Sequence, residues 1–420
     1  MIRGGDGTRD WFSERFELSR GGGAHIRPME GLRGFATLLV FVTHYIGFTK
    51  PFIDQSTGFA AVAKAVDTVG NSGVDLFFVL SGYLIYGSLI TRPQAFSQFM
   101  QRRIVRIYPV FTVMFSVYVL LSVAFPGESK IPDSLAGAAG FLLGNFFLLP
   151  GFFPMTWMIA VSWSLSYEMF YYTALPLVIS AFGLRHRGVT WRILFFSVLA
   201  VGFAAYCAVY GGHVRLVMFV AGILLYEVIK HLRLRPPGGV LTVLIVAAGL
   251  SAQALPLPGS AGDTLRVLVL FVAFFSLCFC CFTNPDSRVR RAFEWTPLRW
   301  FGNMSYSFYM VHALPMQFMV LVVAAIIPAS AETGPLLFWG LLPVMFAGAL
   351  LPAVLLYLFV ERPFSLKPRT AQGRAEGTQR PSQPLAPTPR ATLPTTAASR
   401  FSRRRLHDLK SSHRGDADRP

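Results

Sequence analysis

The feature that most constrains this chain is a succession of long apolar runs separated by short, Arg-rich breaks. Runs near the roughly 20 residues needed to cross a bilayer's hydrocarbon core fall at 33–49, 71–91, 107–125, 163–182, 191–210, 214–230, 239–257, 264–283, 304–327 and 336–360. Composition agrees. Hydrophobic residues make up 53% of the 420 and charged residues 14%, against about a quarter charged in a soluble protein. A soluble enzyme, a disordered chain and a disulfide scaffold are excluded. The expectation is an all-α, polytopic membrane helix bundle with about ten transmembrane helices.

A formal charge of +17 raises the question of nucleic acid, but the positions of the cations answer it. Thirteen of the 38 Lys and Arg lie beyond Val360, and most others sit in short loops between apolar runs. That is where the positive-inside bias puts them, and no basic stripe interleaved with aromatics is present. If the short apolar stretch Leu135–Leu149 does not cross, every dense basic loop falls on one side and both termini are cytoplasmic. If it crosses, each later basic loop moves outside. The first arrangement obeys the bias, so residues 127–160 are expected to face outward or re-enter.

Three regions follow: a polar N-terminal segment (1–26), a membrane domain (27–364) and a basic Pro- and Arg-rich tail (365–420). The tail is expected to be disordered and cytoplasmic, with Arg403–Arg405 able to touch anionic lipid. The first apolar run is expected to serve as an uncleaved anchor. Cys207, Cys278, Cys280 and Cys281 lie inside apolar runs with no His or acid at ligand spacing, and read as packing residues rather than a metal site.

Ionisable residues inside a span are costly and point to function. Arg33 and His44 are eleven residues apart, about 16 Å along a helix and nearly on one face. Taken alone, His44 reads more readily as a hydrogen-bonded packing residue than as a catalyst. Asp75 opens the next run at a similar depth, where it would either orient an imidazole or cap its helix. Arg102, Arg103 and Arg106 form a basic cluster before Pro109, read as a loop. Arg102 and Arg106 share a helix face and suit phosphate, or serve only as a topology anchor. Glu168 has no cation within a helical turn and must face a cavity or a partner, or stay protonated. His312 lies mid-run, and Glu361-Arg362 reads as an ion pair at a helix stop. P-loop, G-x-S-x-G, H-E-x-x-H and H-x-x-x-x-D motifs are absent.

In combination these segments resemble the acyltransferase-3 family of integral membrane acyltransferases across residues 27–364. The resemblance rests on Glu30-Gly31-Leu32-Arg33-Gly34 with Arg-x10-His, and on Gly73-Val74-Asp75 through Ser81-Gly82. It continues through the R-R-x-x-R-x-x-P run ending at Pro109, Trp163-Ser164-Leu165-Ser166-Tyr167-Glu168, Ser305 to His312, and Glu361-Arg362-Pro363. Met29-Glu30 stands where the family usually shows Leu-Asp. No fused hydrolase-like domain follows, so the chain looks like a stand-alone member.

The resemblance implies transfer of an acyl group, most often acetyl, from cytoplasmic acyl-CoA to a hydroxyl on a glycan or other acceptor, in a bacterial inner membrane. It implies CoA-phosphate contacts for Arg33, Arg102, Arg103 and Arg106. His44 would be the base or transient acyl carrier, Asp75 its orienter and Glu168 a further catalytic group. Trp163, Tyr83 and His312 would lie on the substrate side, with no metal and no nucleic acid involved. The rival reading is a transporter or channel for a small polar solute, which predicts flux without acyl-CoA; no internal inverted repeat supports it.

Overall fold

The computed structural model describes residues 6–18, 26–53, 58–326 and 335–366; the regular structure among them is all helical, with no strand. The tail from Lys367, including Arg403–Arg405, lies outside them. The helices in order are α1 (Asp6–Phe16), α2 (Ile26–Thr49), α3 (Gly58–Gly70), α4 (Gly73–Thr91), α5 (Phe96–Ala124), α6 (Leu135–Phe146), α7 (Trp163–Ala181), α8 (Val189–Tyr210), α9 (Val217–His231), α10 (Gly239–Ala252), α11 (Gly259–Thr283), α12 (Arg288–Phe293), α13 (Thr296–Asn303), α14 (Ser305–Val311), α15 (Ala313–Ile326) and α16 (Pro335–Leu356). A π-helix, Tyr357–Leu366, continues α16.

A helix occupies each of the ten apolar runs, but six are long and apolar enough to cross a membrane: Arg27–Phe52, Gly58–Thr91, Phe96–Ala124, Val189–Tyr210, Gly259–Thr283 and Leu337–Leu366. A seventh forms if α14 and α15, bent by 42°, count as one span. The shortfall has physical causes. α9 and α10 have 15 and 14 residues, short of the roughly 20 a straight span needs. α7 has the length but carries Ser164, Ser166, Glu168 and a series of tyrosines, which lower its hydropathy. α6, at 12 residues, is also too short to cross.

Two regions differ from the expected punctuation. Arg102, Arg103 and Arg106 are not in a loop. α5 runs unbroken from Phe96 through Pro109, and Tyr306 donates to the Ile107 carbonyl (2.8 Å) two residues before the proline. Glu361 does not pair with Arg362. Its carboxylate accepts from Arg106 (2.6 Å) and from the Ser307 amide and hydroxyl (3.1 and 2.6 Å), while Arg362 donates to the Glu14 carbonyl. The helix does not stop there either, since the π-helix carries on through Pro363 to Leu366.

The bundle is drawn together by close backbone approaches. A Cβ at Gly82 of α4 would lie 2.2 Å from the Phe219 carbonyl oxygen, and one at Gly222 of α9 would lie 2.1 Å from that of Val79. Only glycine allows this α4–α9 contact, the small-residue packing that membrane helices use where no hydrophobic drive separates protein from lipid. Gly302 of α13 meets the Glu30 carbonyl in the same way. Arg299, also on α13, forks to Glu30 (3.0 Å) and Glu17. Together they hold the N-terminal turns of α2, and with them Arg33. The four cysteines are buried and unbonded to one another.

Candidate active site

α2, α4, α5, α7 and α14 enclose a cavity of about 130 Å³. Its charged lining is Arg33, Arg103, Arg106 and Glu168, with Ser81, Ser164, Ser305, Tyr172, Tyr306 and Tyr309 as neutral polar neighbours. The four charged residues are supported differently. Arg106 is matched by buried Glu361 and lies 5.6 Å over the Tyr306 ring. Arg33 directs Nε and Nη2 at the Ser305 hydroxyl (3.2 and 2.9 Å). Glu168 accepts from Ser81 (2.9 Å) and Tyr172, as expected for an acid facing a cavity.

Arg103 stands apart. Its guanidinium lies over the rings of Phe99 and Tyr172 at 5.1 and 5.3 Å, and its buried Nε has no hydrogen-bond partner. An orphaned buried donor is costly, and among the described residues no carboxylate neutralises this cation.

Arg102 does not join it. Its side chain is exposed. At about 100° per residue, Arg106 lies between Arg102 and Arg103 around α5, and the cavity lies on the Arg103 side. Tyr83 does not line the cavity either; it packs against Tyr226 and Phe282, with ring centroids 5.5 and 5.1 Å away. Trp163 lines a different cavity, described below.

Neither His44 nor His312 lines the cavity, but His312 packs beside Tyr309, which does. His312 marks the break between α14 and α15 and is fully buried. Its ring centroid is 6.1 Å from that of Tyr309 and 4.9 Å from that of His44. Each ring turns Nδ1 toward backbone carbonyls: Val40 for His44 (2.9 Å), and Phe308 and Tyr309 for His312 (3.1 and 2.9 Å). A carbonyl only accepts, so in the neutral ring the proton is on Nδ1 and the lone pair on Nε2. That is the tautomer a general base needs, and in His44 the backbone sets it without a carboxylate.

Asp75 is accordingly not where the spacing argument put it. Among the described residues no hydrogen bond or ion pair joins it to His44; its carboxylate faces Arg215 at 3.4 Å, and Oδ1 is buried without a partner. The acid nearer the His44 turn is Asp67, which accepts from Thr43 through both its carboxylate and its backbone carbonyl. The direction in which Asp75 points from α4 was not legible in the sequence.

The second cavity, of about 1020 Å³, is bounded by α3, the start of α7, residues 212–216 and the facing ends of α10 and α11. Trp163 and Tyr167 face it, while Ser164 and Glu168 face the Arg-lined cavity. One turn of α7 thus forms a wall common to both. His213, whose ring meets the Tyr167 hydroxyl at 2.8 Å, and Arg215 also line this cavity. Sequence reading gave neither a role: His213 lies just ahead of the apolar run at 214–230 and Arg215 in its first turn, and neither stands at a recognisable motif spacing.

Fold and site define a multi-pass membrane protein that encloses a charged cavity among its helices. A family model described as an acyltransferase domain matches residues 27–358. The chain belongs to the acyltransferase-3 family and is an acyltransferase of groups other than aminoacyl. It is 25% identical over 367 residues to the acyltransferase MdmB of Streptomyces mycarofaciens, covering 80% of this chain and 90% of that one. It is 25% identical over 379 residues to the peptidoglycan O-acetyltransferase OatA of Listeria monocytogenes, and 26% over 387 to the putative peptidoglycan O-acetyltransferase YrhL of Bacillus subtilis. These alignments take in 81% of this chain but only 56% and 55% of those two proteins. No solved structure matches.

Proposed function

We propose that this protein is a membrane O-acyltransferase that moves an acyl group, in the first instance acetyl, from cytoplasmic acyl-CoA to a hydroxyl of a cell-surface or exported glycan. In this reading it sits in the inner membrane with ten spans and both termini cytoplasmic, so that the Arg cluster of α5 meets the donor. The unpaired Arg103 guanidinium in a buried cavity carries the proposal: it is a site prepared for an anionic ligand. Arg33 and Arg103 would hold a phosphate of the donor, and Arg106, already neutralised by Glu361, would shape the wall.

The residues fit part of coenzyme A rather than all of it. A cavity of 130 Å³ is smaller than the roughly 300–1,000 Å³ that encloses a drug-sized ligand. The cavity would therefore take the pyrophosphate and not the whole donor, with the adenosine outside and the pantetheine arm carrying the thioester toward His44. His44 Nε2 takes the proton of the acceptor hydroxyl as that oxygen bonds to the thioester carbonyl carbon. The C–S bond then breaks, and the departing thiolate recovers the proton from the imidazolium. Transient acyl transfer to His44 Nε2 would balance equally. The relatives whose names specify peptidoglycan O-acetylation support a glycan as acceptor.

The test incubates membranes carrying the wild type or His44→Ala with radiolabelled acetyl-CoA and a host glycan extract. Label entering glycan with wild type alone is expected, and the labelled fraction names the acceptor. Equal labelling by both forms would remove His44 from the mechanism. No labelling with any acyl donor, beside a working control acyltransferase, would return the transporter reading.

A further inference from the structure

The second cavity has the chemistry of a selective sugar site. Its width, about 1020 Å³, suits a ligand of several rings. Half-buried Trp163 presents aromatic surface, its ring centroid 5.8 Å from that of buried Tyr167 and the two planes inclined by 72°, beside polar partners at Asn71 and Gln253. Aromatic faces cover the C–H faces of a sugar while polar groups take its hydroxyls.

The charges are more specific. The lining holds three cations and one carboxylate: Lys64, Arg215 and Arg266 against Asp263. Arg266 is paired with Asp263. Arg215 is answered from behind by buried Asp75 and donates to the Asn71 carbonyl at 3.1 Å. Lys64 remains: it is exposed to the cavity space and no carboxylate among the described residues pairs with it. An open cavity with one uncompensated ammonium favours an anion, because a charge-assisted hydrogen bond is roughly twice as strong as a neutral one.

We propose that this cavity is the acceptor site and that it selects an anionic saccharide, one bearing a carboxylate or a phosphate, with Lys64 as the charge partner and Trp163 as the stacking surface. The proposal rests on the transferase reading above and adds the class of acceptor. The shared wall supports it, since Trp163 and Tyr167 face this cavity from the α7 turn that presents Ser164 and Glu168 to the other. An acceptor held here would lie against the same turn of α7 that lines the donor cavity.

The experiment uses the full chain in lipid nanodiscs at low salt. Titration calorimetry compares a glucuronic acid oligosaccharide, its carboxyl-reduced neutral counterpart and a sugar phosphate. The acidic sugars are expected to bind at least about tenfold more tightly than the neutral one, and Lys64→Glu is expected to erase that margin. Lys130→Glu makes the same charge change at an exposed residue outside the cavity and should preserve it. Preference for carboxylate or for phosphate identifies which anion the acceptor carries. Equal affinities, no binding of any of the three, or a margin that survives Lys64→Glu would overturn the proposal. Acetyl transfer from acetyl-CoA is measured on the same samples: an acidic preference without transfer defeats the transferase reading alone, and transfer without the preference defeats this one alone.

Discussion

The Arg-lined cavity takes its charged residues from helix interiors: Arg33 from α2, Arg103 and Arg106 from α5, Glu168 from α7. The larger cavity takes most of its charges from helix ends and residues 212–216, with Lys64 on α3. One holds about 130 Å³ and the other about 1020 Å³. In the small cavity the low local dielectric strengthens each charge, and packing fixes its position, so it is suited to one group that never varies. In the large cavity solvent screens the charges, which suits an acceptor recognised by several weaker contacts. A transferase with a constant donor and a particular acceptor needs one site of each kind.

The largest expected effect separates His44 from Asp75. His44→Ala should lower acyl transfer by at least about a hundredfold, the usual worth of a positioned base. Asp75→Asn should cost only about threefold, because the Val40 carbonyl rather than Asp75 sets the His44 tautomer. Equal losses in kcat would mean that the Arg215-facing acid reaches the chemistry after all, and the two cavities would be less separate than described.

Next comes stability. Glu361→Ala leaves Arg106 charged and partly buried without its partner, and should cost about 3 kcal/mol in the unfolding free energy measured in detergent. A loss below about 1 kcal/mol, the value of an exposed pair, would show the small cavity to be wetter than its packing implies. Smaller again is the contrast within the α5 cluster. Arg103→Ala should raise KM for acyl-CoA about tenfold with kcat little changed, while Arg102→Ala, on the exposed face, should leave KM within about twofold. Identical shifts in KM would mean that the cluster acts as a diffuse field rather than through one oriented side chain.

The smallest effect concerns the N-terminal helix that braces α2. Burial pushes the Glu17 carboxyl upward, but hydrogen bonds from Arg299 and Trp300 outweigh it and hold the group below its ordinary value of 4.5. A carboxylate with a depressed pKa stabilises the fold above its unfolded value, and that contribution is lost as pH falls through the folded one. Between pH 6 and pH 3, Glu17→Gln should therefore show a shallower fall in Tm than wild type. Parallel curves would assign the acid sensitivity to another carboxylate.

Much of this organisation was legible in the chain itself. The Arg33–His44 spacing marked the helix face that leads from the cavity to the imidazole, and Glu168, lacking a cation nearby in sequence, does face a cavity. The errors share a cause. Asp75, Tyr83 and Arg102 were assigned by depth or by proximity to a motif, and rotation of a helix about its own axis is set by its neighbours. For α4 that rotation follows from the glycine contact with α9, which turns Tyr83 toward Tyr226 and Phe282.

By itself the sequence determined that this is a helical membrane protein, where its helices run, and which ionisable residues lie among them. These are consequences of local composition, since a backbone in lipid must satisfy its own hydrogen bonds. Only the tertiary structure decided the partners. Arg106 finds Glu361 across 255 positions, Arg33 finds Ser305 across 272, and Arg299 finds Glu30 across 269. Periodicity carries no information over such distances. Which cation is neutralised, and which is left without a carboxylate, depends on how the helices pack.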